Sequence, residues 1–301
     1  MSQKIAIIIL NWNRAQDTAE CLNSLKQCTY PNFEVLLVDN GSSDGSWQKL
    51  QQQFPNIKFI LNSDNLGFVL GNNIGIKEAF KSNFDQVLLL NNDTIVQPDL
   101  IDKLVELSEK DASVGIVAPK IMFYSEPERI WSIGGRYLAI LRKPDQAFYH
   151  EIDHGQQLKE KDLQWVSGCC MLIKREVFDK IGYLDPDYWG SLEDVDFCWR
   201  AKRVGYNILV VPQSKIYHKF AVTFGGKHSP FYAYFRVRNL FVFLRKTKQW
   251  RPLMINLVIF PVYSVITSVR GRHWQSIMAT LIATRDFLIG KYGFGSAGEF
   301  R

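Results

Sequence analysis

The sequence lacks the cysteine pattern of a disulfide-stabilised or zinc-binding protein. Its five cysteines are an odd number, and no two of them have the spacing of a metal-ligand pair. They lie within apolar or helical stretches of the chain: Cys21, Cys28, Cys169, Cys170 and Cys198. We therefore expect reduced, buried thiols and a cytoplasmic protein.

Signals for export and for membrane spanning are also missing. The apolar run at residues 5–10 is too short for a signal peptide, and no small-residue cleavage site follows it. The apolar segment at 253–269 is interrupted by Asn256 and Pro261, and it is shorter than the roughly 20 residues that a spanning helix needs. We expect neither export nor a transmembrane helix.

The glycine-rich loops that usually wrap a pyrophosphate are absent. Asn11-Trp-Asn-Arg14 follows the first predicted strand, where a dinucleotide-binding protein has Gly-x-Gly-x-x-Gly, and the chain contains no Walker loop. A nucleoside diphosphate bound here would need another partner for its charge. A divalent metal held by carboxylates is the natural candidate.

Charge is unevenly distributed along the chain. Residues 229–301 contain eleven Lys and Arg against two Asp and Glu, a net charge of +9, whereas residues 1–228 carry 25 against 28, a net charge of −3. Such a basic segment suits an anionic membrane, a nucleic acid or an acidic partner, and the sign of the charge alone does not distinguish them.

The hydrophobic pattern of the basic segment favours a membrane surface over nucleic acid. Apolar residues from Trp274 to Leu288 recur at helical spacing, and cations flank them. Amphipathic helices of this kind lie in a membrane interface, attracted by anionic lipid. Helices that pack on the rest of the protein or form a homodimer are the alternative.

Strand and helix signals alternate in the first part of the chain. Four continuous apolar runs, at residues 5–10, 33–38, 57–61 and 87–90, indicate strands covered on both faces, and helical spacing follows each run. Alternation of this kind predicts an α/β fold, with a mostly parallel sheet flanked by helices.

All four runs end in amide or carboxylate side chains. In open parallel sheets, ligands bind outside the carboxyl ends of the strands. A single strand that ends in Asn or Asp could be explained by the preference of these residues for turns. Four such strand ends at one edge of a sheet predict a polar ligand site. The residues are Asn11 and Asn13 after the first run, Asp39 after the second, Asn65 and Gly67 after the third, and Asn91, Asn92 and Asp93 after the fourth.

Six segments in order resemble glycosyltransferase family 2, particularly its rhamnosyltransferase-like members. They are Ile8-Ile-Leu-Asn-Trp-Asn13, Val38-Asp-Asn-Gly-Ser-Ser-Asp-Gly-Ser46, Asn65-Leu-Gly-Phe-Val-Leu-Gly-Asn-Asn-Ile-Gly75, Leu89-Leu-Asn-Asn-Asp-Thr94, Ser167-Gly-Cys-Cys-Met-Leu-Ile173 and Glu193-Asp-Val-Asp196. The resemblance spans about residues 4–225. It implies a GT-A fold and inverting transfer of a sugar from a nucleoside diphosphate sugar to an acceptor hydroxyl.

The resemblance also implies roles for individual residues. Asp39 would contact the nucleobase, with Asn11 and Asn13 beside it, and the Asp-x-Asp motif that holds metal and diphosphate falls on Asn91-Asn92-Asp93. Asn at the first position adds no charge, so metal affinity should be modest. Asp93 and His218 would ligate Mg²⁺ or Mn²⁺. We further assign Asn65, Gly67, Asn72 and Gly168 to donor binding.

The catalytic base suggested by the family is Asp194, with Glu193 beside it. Inversion needs a carboxylate that takes the proton of the acceptor hydroxyl as attack proceeds. Acids in a first helical turn also complement the helix dipole, which is the structural alternative.

We predict a catalytic domain over 1–228, with a nucleotide-binding half (1–110) and an acceptor and catalytic half (111–228), followed by a basic amphipathic helical tail (229–301). The expected enzyme builds a cell-surface glycan from the inner face of the cell membrane, with dTDP-rhamnose as donor and a glycan or lipid-linked acceptor. UDP sugars are the alternative donors. The alternative function that is not enzymatic is that of a protein that binds a sugar nucleotide without transferring the sugar.

Overall fold

The computed structural model describes residues 2–138, 140–219, 229–271 and 274–300. The strands are β1 (Ile5–Asn11), β2 (Phe33–Asn40), β3 (Lys58–Asn62), β4 (Gln86–Asn91), β5 (Thr94–Val96), β6 (Val114–Phe123), β7 (Ile130–Ser132), β8 (Gly135–Tyr137), β9 (Pro144–Gln146), β10 (Cys170–Lys174) and β11 (Asn207–His218). The helices are α1 (Ala15–Leu25), α2 (Ser46–Gln53), α3 (Gly67–Lys81), α4 (Leu100–Glu109), α5 (Arg175–Ile181), α6 (Glu193–Arg203), α7 (Pro230–Lys246), α8 (Trp250–Gly271) and α9 (Trp274–Leu288).

The chain divides into two compact units. The first comprises Met1–Arg136, Gln146–Leu184 and Phe197–Phe220, and the second comprises Tyr137–Asp145, Asp185–Asp196 and Ala221–Arg301. The second unit therefore takes in two segments that precede the predicted tail. The predicted boundary after residue 228 lies beside residues 220–228, outside the described residues, so the division at 228 stays a prediction.

A mixed sheet with the strand order β3-β2-β1-β4-β10-β6-β11-β5 forms the centre of the first unit. The four predicted strands β1–β4 are mutually parallel, and β10 lies antiparallel between β4 and β6. β11 runs parallel to β6 and antiparallel to β5. This arrangement confirms the predicted α/β fold.

Two glycines let α3 pack closely on the sheet. A Cβ at Gly75 would lie 2.6 Å from Cγ2 of Ile8, and one at Gly71 would lie 2.5 Å from Cδ1 of Leu10. Both contacts are closer than real side-chain carbons approach, so only glycine fits. The helix that follows β3 is thereby held against β1.

The second unit contains a three-helix cluster in which α7, α8 and α9 contact one another. Most residues of α7 are buried, and the ring of Phe243 stacks on Tyr137 with ring centroids 5.6 Å apart. Asn256 and Pro261 interrupt the apolar sequence of this segment but not its helix, because α8 runs unbroken from Trp250 to Gly271. Within the residues that the structure describes, no helix is long and apolar enough to cross a membrane.

Candidate active site

The carboxyl ends of β1 and β2 bring Asn11 and Asp39 together, because these residues are paired in the strand register. The Nδ2 atom of Asn11 donates to Oδ2 of Asp39 over 2.7 Å, and both side chains are buried. Ser42 adds two bonds to the same carboxylate, from its hydroxyl (2.7 Å) and its backbone N–H (2.9 Å). Asp39 is thus held in one orientation at the sheet edge.

Asn13 extends this cluster through its backbone as well as its side chain. Its N–H donates to the Ser42 hydroxyl over 2.9 Å, and its Oδ1 accepts from the N–H of Ser43 over 2.9 Å. Sequence reasoning missed Ser42, since a serine in a turn looks the same whether or not it supports a site.

The end of β4 joins the same cluster through Thr18 on α1. Nδ2 of Asn92 donates to the Thr18 hydroxyl over 2.8 Å, which in turn donates to Oδ1 of Asn11 over 2.7 Å. The carbonyl of Asn91 accepts a bond of 2.7 Å from the Thr94 hydroxyl, which closes the turn into β5. The structure therefore brings together the predicted residues from three strand ends.

The other residues assigned to donor binding have visible structural roles. Oδ1 of Asn65 accepts from Nδ2 of Asn40 (3.0 Å) and from the N–H of Gly67 (2.9 Å), which fixes the start of α3. Asn72 donates to the carbonyl of Phe68 within that helix, over 2.8 Å. Gly168 lies in the turn that leads into β10. Their assignment to donor binding stays a prediction.

Asp93 and His218, which are 125 positions apart in the chain, become neighbours through the pairing of β5 with β11. Nε2 of His218 lies 3.1 Å from Oδ1 of Asp93, and both side chains are largely buried. Burial acts to raise the pKa of Asp93, but the hydrogen bond and charge of His218 outweigh it and hold that pKa below its usual value.

This pair suits a divalent metal in geometry and in chemistry. Adjacent ligands of an octahedral ion with bonds of about 2.1 Å are about 3 Å apart, close to the observed separation. A carboxylate oxygen and an imidazole nitrogen both bind Mn²⁺, whereas Mg²⁺ prefers oxygen ligands. Among the described residues, no cluster of three or more His, Cys, Asp or Glu could hold an ion by itself. Any metal here would take its remaining ligands from water or a bound phosphate.

Two cations lie near this pair, and the sequence analysis gave neither of them a role. The charge of Arg14 lowers the pKa of Asp93, and Lys219 follows His218 directly. The Lys219 ammonium lies 3.0 Å from Asp17 and 2.6 Å from Glu20, on the first turns of α1. Arg14 also lies 3.4 Å from Asp17, so both cations are paired with acids of α1.

Glu193, Asp194 and Asp196 belong to the second unit and form the first turn of α6. Asp194 is partly exposed, whereas Glu193 and Asp196 are buried. Burial and then the negative charge of Asp194 raise the pKa of Glu193 well above its usual value. Burial thus favours the neutral form of Glu193, and Asp194 is the more exposed carboxylate of this turn.

A family model described as glycosyl transferase family 2 matches residues 6–182 of this chain. The chain belongs to glycosyltransferase family 2. The match covers more than half of the sequence and includes the polar ends of β1, β2, β3 and β4. It confirms the resemblance seen in the sequence, and the protein is a glycosyltransferase.

Two relatives resemble this glycosyltransferase over most of their lengths. The N-acetylglucosaminyl-diphospho-decaprenol L-rhamnosyltransferase of Mycobacterium tuberculosis is 26% identical over 271 residues, covering 83% of this chain and 88% of its own. A dTDP-rhamnosyl transferase of Shigella flexneri is 22% identical over 305 residues, covering 98% and 99%.

Among solved structures, a mannosyltransferase from Pyrobaculum calidifontis in complex with GDP-Man and Mn²⁺ superposes with a TM-score of 0.61. The identity is 15%, and the match covers 97% of this chain and 88% of that one. This likeness confirms the predicted GT-A fold of the family 2 chain.

Proposed function

We propose that this glycosyltransferase moves L-rhamnose from dTDP-rhamnose, with inversion at the anomeric carbon, to a hydroxyl of a lipid-linked glycan in cell-surface polysaccharide synthesis. The observation that carries donor binding is the cluster of Asn11, Asp39 and Asn92 at three strand ends. The choice of rhamnose is supported by the two rhamnosyltransferases described above, which match this chain over most of their lengths.

Asp39 is the residue assigned to the nucleobase. Its carboxylate is held by Asn11 and Ser42 but keeps lone pairs free, because an ionised carboxylate has about four acceptor sites. A ring N–H of thymine would donate to one of them. A carboxylate fixed in this way loses little entropy when the base binds.

Asp93 and His218 are assigned to a divalent ion, Mg²⁺ or Mn²⁺. When bound, the ion would neutralise charge on the diphosphate of the donor and on the departing dTDP. The Mn²⁺ in the complex of the Pyrobaculum enzyme supports this assignment.

Asp194 is assigned as the base. It takes the proton of the acceptor hydroxyl while that oxygen forms a bond to the anomeric carbon, and the bond from this carbon to the diphosphate breaks. Burial and the charge of Asp194 raise the pKa of Glu193, so the neutral form of Glu193 is favoured beside this base.

The second unit is assigned to an anionic membrane surface. Its exposed apolar side chains include Met254, Val258 and Val262 on α8, at helical spacing, and Trp274, Met278 and Leu281 on α9. An open depression beside α8 is lined by the cations Arg142, Lys248 and Arg251 together with Ile140, Trp250 and Ile255. Apolar residues next to cations match a lipid interface with anionic headgroups.

The test is release of dTDP from dTDP-rhamnose in the presence of a panel of lipid-linked acceptors, compared with UDP-sugar donors. Asp194→Asn should lower turnover by about 10² to 10⁴ while leaving donor affinity intact, because a base acts on the transition state. Glu176→Gln, an acid in the first turn of α5, is the matched control and should keep parental turnover. Donor binding without turnover on any acceptor would contradict the proposal and favour a binding protein.

A further inference from the structure

The loop that leads into α6 has an unusual backbone. Ser191 and Leu192, immediately before Glu193, have φ angles of 71° and 69°, in the left-handed region that non-glycine residues rarely adopt. Such conformations persist only where surrounding structure holds them. Something in the second unit must therefore fix this loop.

Asn239 on α7 supplies that constraint. Its Nδ2 atom donates to the carbonyl of Gly190 and to the carbonyl of Ser191, each over 2.8 Å. Asn239 is fully buried, so these two bonds are shielded from water. One amide group thus holds two successive peptide carbonyls directly before the base turn.

The orientation of that amide is itself fixed by Arg238. The guanidinium donates to Oδ1 of Asn239 from Nε (3.0 Å) and from Nη2 (2.6 Å), so the nitrogen of the amide must face the loop. Arg238 is also fully buried, and its Nη2 reaches the carbonyl of Asp187 over 3.4 Å. The loop is held at both of its ends by consecutive residues of one helix.

The network continues to the end of the chain. The Tyr234 hydroxyl donates to Asp286 on α9 over 2.6 Å, and it accepts from Arg238 over 3.4 Å. A Cβ at Gly295 would lie 2.0 Å from that hydroxyl, and the N–H of Ser296 donates to Asp286 over 2.9 Å. Buried polar networks in which every member is paired are rigid.

We infer that Asn239 is a positioning residue for the reaction, holding the Gly190–Leu192 backbone so that Asp194 meets the acceptor hydroxyl correctly. This inference rests on the proposed role of Asp194 as the base. If Asn239 has this role, α7 of the basic segment contributes to turnover independently of any membrane binding.

Asn239→Asp is the variant that tests it. The side chain keeps its shape and still accepts from Arg238, but it presents oxygen instead of N–H groups to the two carbonyls. Turnover should fall on the order of 10²-fold, as expected when a reacting group is displaced by about 1 Å, while donor Kd stays parental. In an Asp194→Asn background the same change should cost far less, because the base is already absent.

Asn256→Asp is the matched control. Asn256 is also a fully buried amide that donates to two carbonyls, those of Leu141 (2.9 Å) and Pro252 (2.7 Å), neither of which belongs to the loop before α6. It should alter the melting temperature without lowering turnover on a soluble acceptor. Asn239→Ser, which keeps one donor, replaces Asn239→Asp if the latter does not fold, and it should lose less turnover.

Parental turnover in the Asn239 variant would overturn the inference, and so would an equal loss in both backgrounds, which would indicate a purely structural role. If Asp194→Asn itself kept parental turnover, the assignment of the base would be wrong instead. The two failures are therefore distinguishable.

Discussion

In the proposed metal site, negative charge comes from the carboxylate of Asp93, because Asn91 and Asn92 in the same turn are uncharged. Asp93→Ala should abolish the dependence of dTDP-rhamnose affinity on Mn²⁺, measured by calorimetry with the ion and with chelator, because His218 alone adds no negative charge. Glu126→Ala is the matched control, since Glu126 faces His150 over 3.4 Å in an exposed pair. Full affinity and turnover of the parent in excess chelator would contradict the metal assignment.

Glu193 provides a pH test that does not require substrate. Burial, with added repulsion from Asp194 and Asp196, raises its pKa above the ordinary 4.5, so in a pH range above 4.5 the folded state keeps a proton that the unfolded state has released. The stability from that proton is complete below about pH 4.5 and is lost as pH rises toward the folded pKa. A glutamine at position 193 has no proton to release in this pH range, so the Glu193→Gln variant does not lose this stability.

The melting temperature of Glu193→Gln, relative to the parent, should therefore increase between about pH 5 and pH 8 in scanning calorimetry. Glu176→Gln, at an exposed acid, should show no such trend. A difference that stays constant with pH would mean that Glu193 is ionised in the folded protein.

The sequence predicted single site residues only where a strand end or the family resemblance marked them. Asn11, Asp39 and Asn92 follow apolar runs, and their convergence was expected from the parallel sheet. Asp93 also follows an apolar run, whereas His218 was assigned to the metal through the resemblance, since nothing local indicates the pairing of β5 with β11. Thr18 and Asn239 could not be predicted, because the bond from Asn92 to Thr18 and the bond from Asn239 to Gly190 join residues that are far apart in the chain.

Among the secondary-structure elements, the first four strands were predictable and β6 was not. Its apolar pattern is interrupted by Pro119 and by Lys120, which is buried and bonded to Asp153 over 2.6 Å. Pro119 lies beside a register shift of β11, where a missing N–H costs no ladder bond. Because of the buried ion pair and the bulge, the apolar pattern of the sequence did not indicate β6, although β6 is a central strand of the sheet.

α8 allows a test of membrane binding at the level of one helix. Val258→Glu should weaken cosedimentation with anionic vesicles at least about tenfold, because burying a valine contributes about 1.5–3 kcal/mol. Leu61→Glu, at a comparably exposed apolar side chain on β3, should bind like the parent. If vesicle binding were unchanged, and if the parent were a dimer in sedimentation that Val258→Glu dissociates, α8 would serve dimerisation instead of membrane binding.

At the scale of the whole molecule, the second unit includes residues 185–196 as well as the basic segment, so removing the basic segment would also remove contacts to those residues. Trp189 stacks on Phe235 with centroids 5.3 Å apart and also contacts Phe231 and Phe294, all from the basic segment. Lys246 pairs with Asp185 and Asp187 at the start of the loop that precedes α6. This loop therefore depends on the tail for its packing.

A chain ending at residue 228 should accordingly lose turnover even with a soluble acceptor, because Trp189 would be exposed and the α6 loop would lose its bonds to α7. A segment that served only as a membrane anchor could be removed without that loss. Val258→Glu in the full chain is the control, since it should release the protein from vesicles while turnover on the soluble acceptor stays parental. A truncated chain that melts cooperatively and turns over like the parent would show that residues 185–196 hold their conformation without α7 and α9.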